Sequence, residues 1–202
     1  MVSQLNVDKI YNEGGDNDSG VNLSTNDTVK FDIAGSTKWT LNSSGNLFPS
    51  ATTQGIVLGA TSDTAANRLD DYEDGTWTGT LTAAGSAPSS SVTATGVYTK
   101  IGSSVYVTIY FSNVNTSGAS GQPYITGLPF TIKSGYNYIG SLAYHTFGLP
   151  SGYTSASAWF SGGQSAIEFV ALQDDGSWSF NTPDTFGSAR YIVASGTYLT
   201  DA

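Results

Sequence analysis

Hydrophobic and polar residues alternate along much of the chain, which is the pattern of β-strands that bury one face. The clearest example is residues 105–111, VYVTIYF. Its fully apolar face consists of Val105, Val107, Ile109 and Phe111. We predict that this face lies in a core, since the other face carries two tyrosines and a threonine. An apolar pattern of period 3.6 is not sustained anywhere, and the best helix candidate is one turn at residues 64–69. The predicted fold class is therefore all-β.

Further strands follow one another toward the C-terminus at intervals of roughly ten residues. They are predicted at residues 124–125, 130–132, 138–144, 166–172, 178–180 and 190–194. Residues 174–176, Asp-Asp-Gly, are predicted to form a hairpin turn, and residues 83–91 a loop. This spacing is typical of a sandwich or barrel, and we predict that residues 81–202 form an antiparallel, jelly-roll-like β-sandwich.

Residues 1–50 predict an extended arm followed by a β-hairpin. A turn-rich cluster at residues 13–20 separates the two. The hairpin strands are residues 29–33 and 38–41, and its apolar face carries Phe31, Ile33, Trp39 and Leu41. An isolated hairpin is marginally stable in water, so we predict that identical chains cover this face. Residues 51–80 are assigned to a connector.

The composition narrows the possible partners. Sixteen acidic and seven basic residues give a net charge of −9, which argues against nucleic acid and anionic lipid as partners. There are no cysteines, so disulfides and thiolate metal sites do not contribute. The N-terminus lacks the features of a signal peptide, and no apolar stretch approaches membrane-spanning length. We therefore expect synthesis in a cytoplasm and no membrane insertion.

Candidate catalytic residues are few, and the prediction is that the chain is not an enzyme. His145 is the single histidine, so a Ser-His-Asp triad would have to use it. A structural or surface role is favoured. Four carboxylates, Asp70, Asp71, Glu73 and Asp74, crowd into one segment, where they cannot flank a sugar bond without a distant partner such as Glu168 or Asp184. A solvated connector is the favoured interpretation, and no catalytic residue or cofactor is assigned.

A calcium loop is a second alternative. Asp16, Asp18 and Asp27 occupy the first, third and twelfth positions of such a loop. The sixth position is Val21, where the turn needs glycine, and the last ligand is Asp where bidentate Glu is usual. No metal is predicted.

Aromatic residues are the more informative group: 12 Tyr, 9 Phe and 4 Trp. Seven of them lie in Gly- and Ser-rich surroundings: Tyr136, Tyr138, Tyr144, Phe147, Tyr153, Trp159 and Phe160. Exposed rings can stack on sugar faces, although core and interface packing is the more common role of such residues. We predict glycan contacts by Tyr144, Tyr153, Trp159 and Phe160, with an exposed ring in a loop at residues 148–163.

Several short motifs resemble a family of bacteriophage virion proteins, usually called tail fibre or structural proteins. They are residues 72–78 (YEDGTWT), 96–102 (GVYTKIG), 105–107 (VYV) and 125–130 (ITGLPF). Upstream, residues 29–36 (VKFDIAGS), Trp39 and residues 42–47 (NSSGNL) fit the same pattern. The chain departs from it at Gly79, where the family often has proline.

The resemblance implies an intertwined homotrimer on the virion. Residues 1–50 would dock on a phage capsid or tail protein, with Leu5, Val7 and Ile10 as docking candidates, and would trimerise through the hairpin. The outward head would attach to a host-surface polysaccharide with the avidity of three weak sites. The fibre would belong to the tail or to the capsid head. The alternatives are a capsid cement that binds no receptor, and, from other classes, a carbohydrate-active enzyme or a free lectin.

Overall fold

A computed structural model describes residues 7–11, 18–59, 61–63, 68–146, 148–174, 176–180 and 186–201. Every regular secondary-structure element within these ranges is a β-strand, which confirms the predicted all-β class. The described residues include no helix long and apolar enough to cross a membrane. The chain divides into two compact units, residues 1–71 and residues 72–202.

The first unit contains a five-stranded antiparallel sheet with its strands in chain order. They are β1 (Lys9–Tyr11), β2 (Gly20–Asn22), β3 (Val29–Ile33), β4 (Ser36–Leu41) and β5 (Leu47–Pro49). A separate two-stranded ladder pairs β6 (Ile56–Val57) with β7 (Arg68–Leu69). The predicted hairpin is confirmed as β3 and β4, but it is extended by a strand pair on one side and a single strand on the other.

The turn between β3 and β4 explains why this hairpin forms. It consists of Ala34 and Gly35, both at positive φ (52° and 68°). Two central residues at positive φ define a type I′ turn, whose twist matches that of the flanking strands. Phe31 then lies opposite Trp39, and Val29 opposite Leu41, so the apolar residues share one face.

The second unit is built from the remaining eight strands. They are β8 (Tyr72–Ala83), β9 (Val92–Ile101), β10 (Ser104–Val114), β11 (Pro123–Thr126), β12 (Asn137–His145), β13 (Tyr153–Ser161), β14 (Ala166–Gln173) and β15 (Arg190–Leu199). They close into a barrel in the order β10-β15-β12-β13-β14-β11-β8-β9, and every neighbouring pair is antiparallel.

The head is therefore a closed barrel and not the two-sheet sandwich that we predicted. Two meanders, β8-β9-β10 and β12-β13-β14, are joined on one side by β15 and on the other by β11. Because each gap is bridged by a single strand, the sheet has no free edge. Alternating strands at ten-residue spacing suit both architectures, so the sequence pattern did not distinguish them.

The barrel interior is filled by side chains. Val105, Val107, Ile109 and Phe111 of β10 are all buried, which confirms the core face predicted for this strand. They join a single cluster with residues of the other strands, including Trp77, Leu81, Ile125, Phe160, Phe169, Ile192 and Tyr198. The inward rows thus form a packed core.

Several local predictions changed in the folded chain. Residues 130–132 form no strand, yet Ile132 is fully buried and the Tyr198 hydroxyl donates to the Phe130 carbonyl (3.0 Å). Residues 178–180 form no strand either, and only Ser179 makes a bridge, to Ala171. Residues 72–80, which were assigned to the connector, are the first part of β8.

Three predicted turns touch undescribed positions. Residues 64–67 of the predicted helical turn lie outside the described residues, and Arg68 and Leu69 form β7. The hairpin turn at residues 174–176 includes Asp175, which is also outside them. The turn-rich cluster at residues 13–20 is described only from residue 18.

Candidate functional site

The acidic segment does not form a paired-carboxylate site. Asp70 lies 3.7 Å from the Arg68 guanidinium, while the Glu73 carboxylate accepts a hydrogen bond from the Tyr98 hydroxyl (2.6 Å). This hydrogen bond raises the pKa of Tyr98. Glu168 lies on β14, where its carboxylate accepts a hydrogen bond from Gln122. Asp184 lies outside the described residues. Asp70, Glu73 and Glu168 thus each have a separate local partner.

His145 lies at the end of β12 on the barrel surface, where its ring makes an edge contact with the Tyr191 ring at 5.6 Å. The two rings line a shallow depression of about 210 Å³ together with Tyr110, Tyr144 and Val193. Tyr144, one of the predicted glycan residues, therefore belongs to this depression.

The region of the proposed calcium loop is held by hydrogen bonds within the protein. The Asp18 carboxylate accepts from the Ser19 hydroxyl (3.1 Å), and its carbonyl accepts from the Gly35 amide (2.9 Å). Asp27 is at a turn with φ of 60°, and Asp16 lies outside the described residues. Within the described part of the chain, no three His, Asp or Glu side chains are grouped so as to hold a metal ion.

The predicted glycan contact by Phe160 is wrong, because the side chain lies in the barrel core with 0% exposure. The loop predicted at residues 148–163 contains β13, and alternation along this strand points Ala158 and Phe160 inward. The Phe160 ring packs on the backbone of two glycines, Gly140 in the neighbouring strand β12 and Gly196 in β15. A Cβ atom built on Gly140 or Gly196 would lie 2.8 or 2.4 Å from the ring. Only glycine leaves room for this ring.

Trp159 points outward from the same strand and forms the centre of an aromatic cluster. The Trp178 ring lies 5.3 Å from it and the Phe180 ring 5.8 Å, measured between centroids. Trp178 is 59% exposed, whereas Trp159 and Phe180 are half-buried. The segment bearing Trp178 is tied to β13 because the Tyr153 hydroxyl donates to the Ser177 carbonyl (3.3 Å). Tyr153, a predicted glycan residue, thus supports the cluster.

A polar groove adjoins this aromatic cluster on the outer face of the barrel. The strand register sets Glu168 of β14 directly between Trp159 of β13 and Tyr124 of β11. The groove has a volume of about 310 Å³, and its lining includes Gln122, Tyr124, Gln164 and Glu168. The Gln122 side-chain amide donates to the Glu168 carboxylate (3.1 Å), which fixes both planar groups. Sequence reasoning considered Glu168 only as an enzyme residue and missed the groove.

A second surface of interest is the apolar face of the five-stranded sheet. Cross-strand pairing aligns one residue from each strand in a row: Ile10, Val21, Phe31, Trp39 and Pro49. The adjacent row contains Val29, Leu41 and Leu47. Phe31, Trp39, Leu47 and Ile56 line a hollow of about 280 Å³ on this face.

The predicted trimer-packing residues all lie in this unit and remain accessible. Phe31, Ile33 and Leu41 are exposed, with Ile33 at 56%, and Trp39 is half-buried. Of the docking candidates, Ile10 belongs to the apolar row, Val7 is half-buried outside the strands, and Leu5 lies outside the described residues. We call the surface formed by the two rows and Ile33 the apolar sheet face.

The opposite face of the sheet is more polar, although it carries the exposed Phe48, and its polar groups are hydrogen-bonded to one another. The buried Asp32 carboxylate accepts hydrogen bonds from the Thr37 hydroxyl (2.7 Å) and the Asn22 amide (3.0 Å). These hydrogen bonds, that of Thr37 first, lower the pKa of Asp32. The two faces of the sheet therefore differ sharply in their chemistry.

Comparison of the chain with models of known protein families and with curated proteins finds no match to either. The two candidate functional surfaces of the protein are the apolar sheet face and the aromatic cluster with its groove.

Proposed function

We propose that the protein is a bacteriophage virion structural protein, a homotrimeric fibre of the tail or capsid whose barrel attaches to a host-surface glycan. The observation that carries this proposal is the apolar sheet face, a continuous hydrophobic surface on which Ile10, Phe31, Ile33, Leu41 and Leu47 remain exposed in the described part of their unit. Contiguous exposed apolar patches are typical of protein interaction sites. The resemblance of the short motifs to phage fibre proteins supports the same function.

Self-association would remove much of this exposed apolar area from water. Ile10, Phe31, Ile33, Leu41 and Leu47 are each between one-third and three-fifths exposed. Removing the remaining exposed area of such a side chain from water contributes roughly 1 kcal/mol, or about 5 kcal/mol per chain for the five. Three chains around an axis contribute this term three times, about 15 kcal/mol, which is of the same order as the cost of about 8–30 kcal/mol for joining two further chains. Additional backbone pairing between chains would add to the hydrophobic term.

Light scattering on the full chain tests the trimer. We expect the mass of three chains, and we expect Leu47→Lys to shift the protein to monomers because it places a charge on the apolar sheet face. The matched control is Phe48→Lys, since Phe48 is the neighbouring residue, is also exposed and lies on the opposite face. A full chain that is monomeric at all concentrations would contradict the fibre proposal.

Virion location is tested separately. Antibody raised against the barrel should label particles of the encoding phage in electron micrographs, and proteomics of purified particles should detect the chain. If removal of residues 1–50 weakens the particles while removal of the barrel leaves host adsorption intact, the protein is a capsid cement. If removal of the barrel abolishes adsorption, the attachment role is supported.

A further inference from the structure

The aromatic cluster offers a flat, accessible platform on the barrel wall. Trp178 presents its exposed ring to solvent and packs on Trp159, which in turn makes an edge contact with Phe180. A large exposed ring that packs on another ring keeps its orientation, so a ligand that stacks on it costs little conformational entropy. The axial C–H groups of a pyranose ring form the kind of apolar surface that such a platform accommodates.

The adjoining groove supplies hydrogen-bonding groups at the edge of this platform. Glu168 is the direct cross-strand neighbour of Trp159, which places their Cβ atoms roughly 4.5–5.5 Å apart. Its carboxylate can accept from sugar hydroxyls, and the Gln122 and Gln164 amides can both donate and accept. Planar polar groups beside an aromatic platform match the alternating apolar faces and polar edges of a sugar ring.

The charge of this surface selects among sugars. The barrel contains three cationic side chains, and each is engaged elsewhere. Lys100 lies over the Phe130 ring, Lys133 is 3.9 Å from Asp201, and Arg190 donates to the Phe186 carbonyl. The carboxylate that lines the groove is Glu168, and no Lys or Arg is among the described lining residues, so an anionic sugar would meet like charge there.

We propose that Trp178, Trp159 and Phe180, together with the Glu168–Gln122 pair, form a binding site for neutral pyranose residues of a glycan. This inference rests on the proposed attachment function and gives it a site and a ligand class. Trp178 stacks on the sugar ring, and Glu168 with Gln122 hydrogen-bonds its hydroxyls.

Calorimetric titration of the full chain tests the site with defined probes. The probes are maltohexaose, cellohexaose and mannohexaose as neutral ligands, and hexagalacturonate as an acidic ligand of matched length. We expect at least one neutral hexasaccharide to bind, and Trp178→Ala to lower its affinity about tenfold or more. Glu168→Gln should lower it by a smaller factor, because the amide keeps one acceptor oxygen. The control is Tyr106→Ala, which removes another exposed ring (48% exposed) on β10 and should leave the affinity unchanged.

The outcomes separate this inference from the fibre proposal when the mass of the same samples is measured. A trimer that binds none of the neutral probes, or prefers hexagalacturonate, overturns the inference and leaves the fibre proposal standing. Binding that Trp178→Ala does not weaken also overturns it. A monomer that binds a neutral probe through Trp178 supports the inference and contradicts the proposal of a trimeric fibre.

Discussion

Replacing Phe160 with alanine removes the aromatic side chain at the centre of the barrel. The ring is fully buried, packs on the backbone of Gly140 and Gly196, and stacks on the Tyr198 ring at 5.6 Å. The two glycines have no side chains that could move into the vacated space. The substitution therefore leaves a cavity that the core cannot easily close.

The expected loss of stability is about 3–5 kcal/mol, the usual range for truncating a buried phenylalanine. The barrel unit spans residues 72–202, or 131 residues. At about 2.1 cal/mol/K per residue, its unfolding entropy is about 0.28 kcal/mol/K, so each kcal/mol lowers Tm by about 3.6 °C. Phe160→Ala should lower the barrel Tm by roughly 11–18 °C.

Differential scanning calorimetry of the full chain measures this shift, with near-ultraviolet circular dichroism reporting the loss of aromatic packing. Trp178→Ala is the matched comparison, because its ring is largely exposed and its removal should lower Tm by less than about 4 °C. The core role of Phe160 would be refuted by a shift below about 4 °C.

Three further predictions concern packing and protonation. Gly196→Ala should lower the free energy of unfolding, measured in urea, by about 1–3 kcal/mol, because the added Cβ would meet the Phe160 ring. An unchanged unfolding midpoint would contradict the close packing. The pKa of Asp32 is lowered in the folded sheet. The stability that the Asp32 carboxylate contributes to the sheet is therefore fully present above its unfolded pKa of about 3.9 and is lost as the pH falls through the folded value. Hydrogen exchange of the β3 and β4 amides should therefore accelerate below about pH 4 relative to the rest of the sheet. Asp32→Asn should remove that pH dependence. An identical acid response in the variant would contradict the stabilising role of the Asp32 carboxylate. Burial raises the pKa of Tyr198, so this tyrosine should stay protonated in an ultraviolet titration until the barrel unfolds. Tyr198→Phe should lower by one the number of tyrosines that ionise only on unfolding, and it should lower the free energy of unfolding by about 1 kcal/mol through loss of the hydrogen bond to Phe130.

Local strand structure was largely predictable from the sequence. The alternation in residues 105–111 placed the right four side chains in the core, and the residues around Ala34 and Gly35 formed the predicted hairpin. Both results follow from short-range physics. Period-2 alternation assigns side chains to faces, and turn geometry fixes the register of adjacent strands.

The candidate surfaces were predictable only in part. The exposed apolar face of the hairpin followed from its alternation, although the row extending to Ile10 depends on pairing with β1 and β2. Among the aromatic candidates, Trp159 and Phe160 are adjacent in the chain and end on opposite sides of the barrel wall. Their segment was read as a loop, and a loop has no alternation to separate them.

The sequence by itself determined that the chain forms strands, which face of its clearest strand is buried, and that its first hairpin exposes an apolar surface. The tertiary structure decided that eight strands close into a barrel, because β11 and β15 pair with strands far from them in the chain. It also brought Trp178 onto Trp159 and set Glu168 beside them. Such contacts depend on long-range strand order, which local periodicity does not encode.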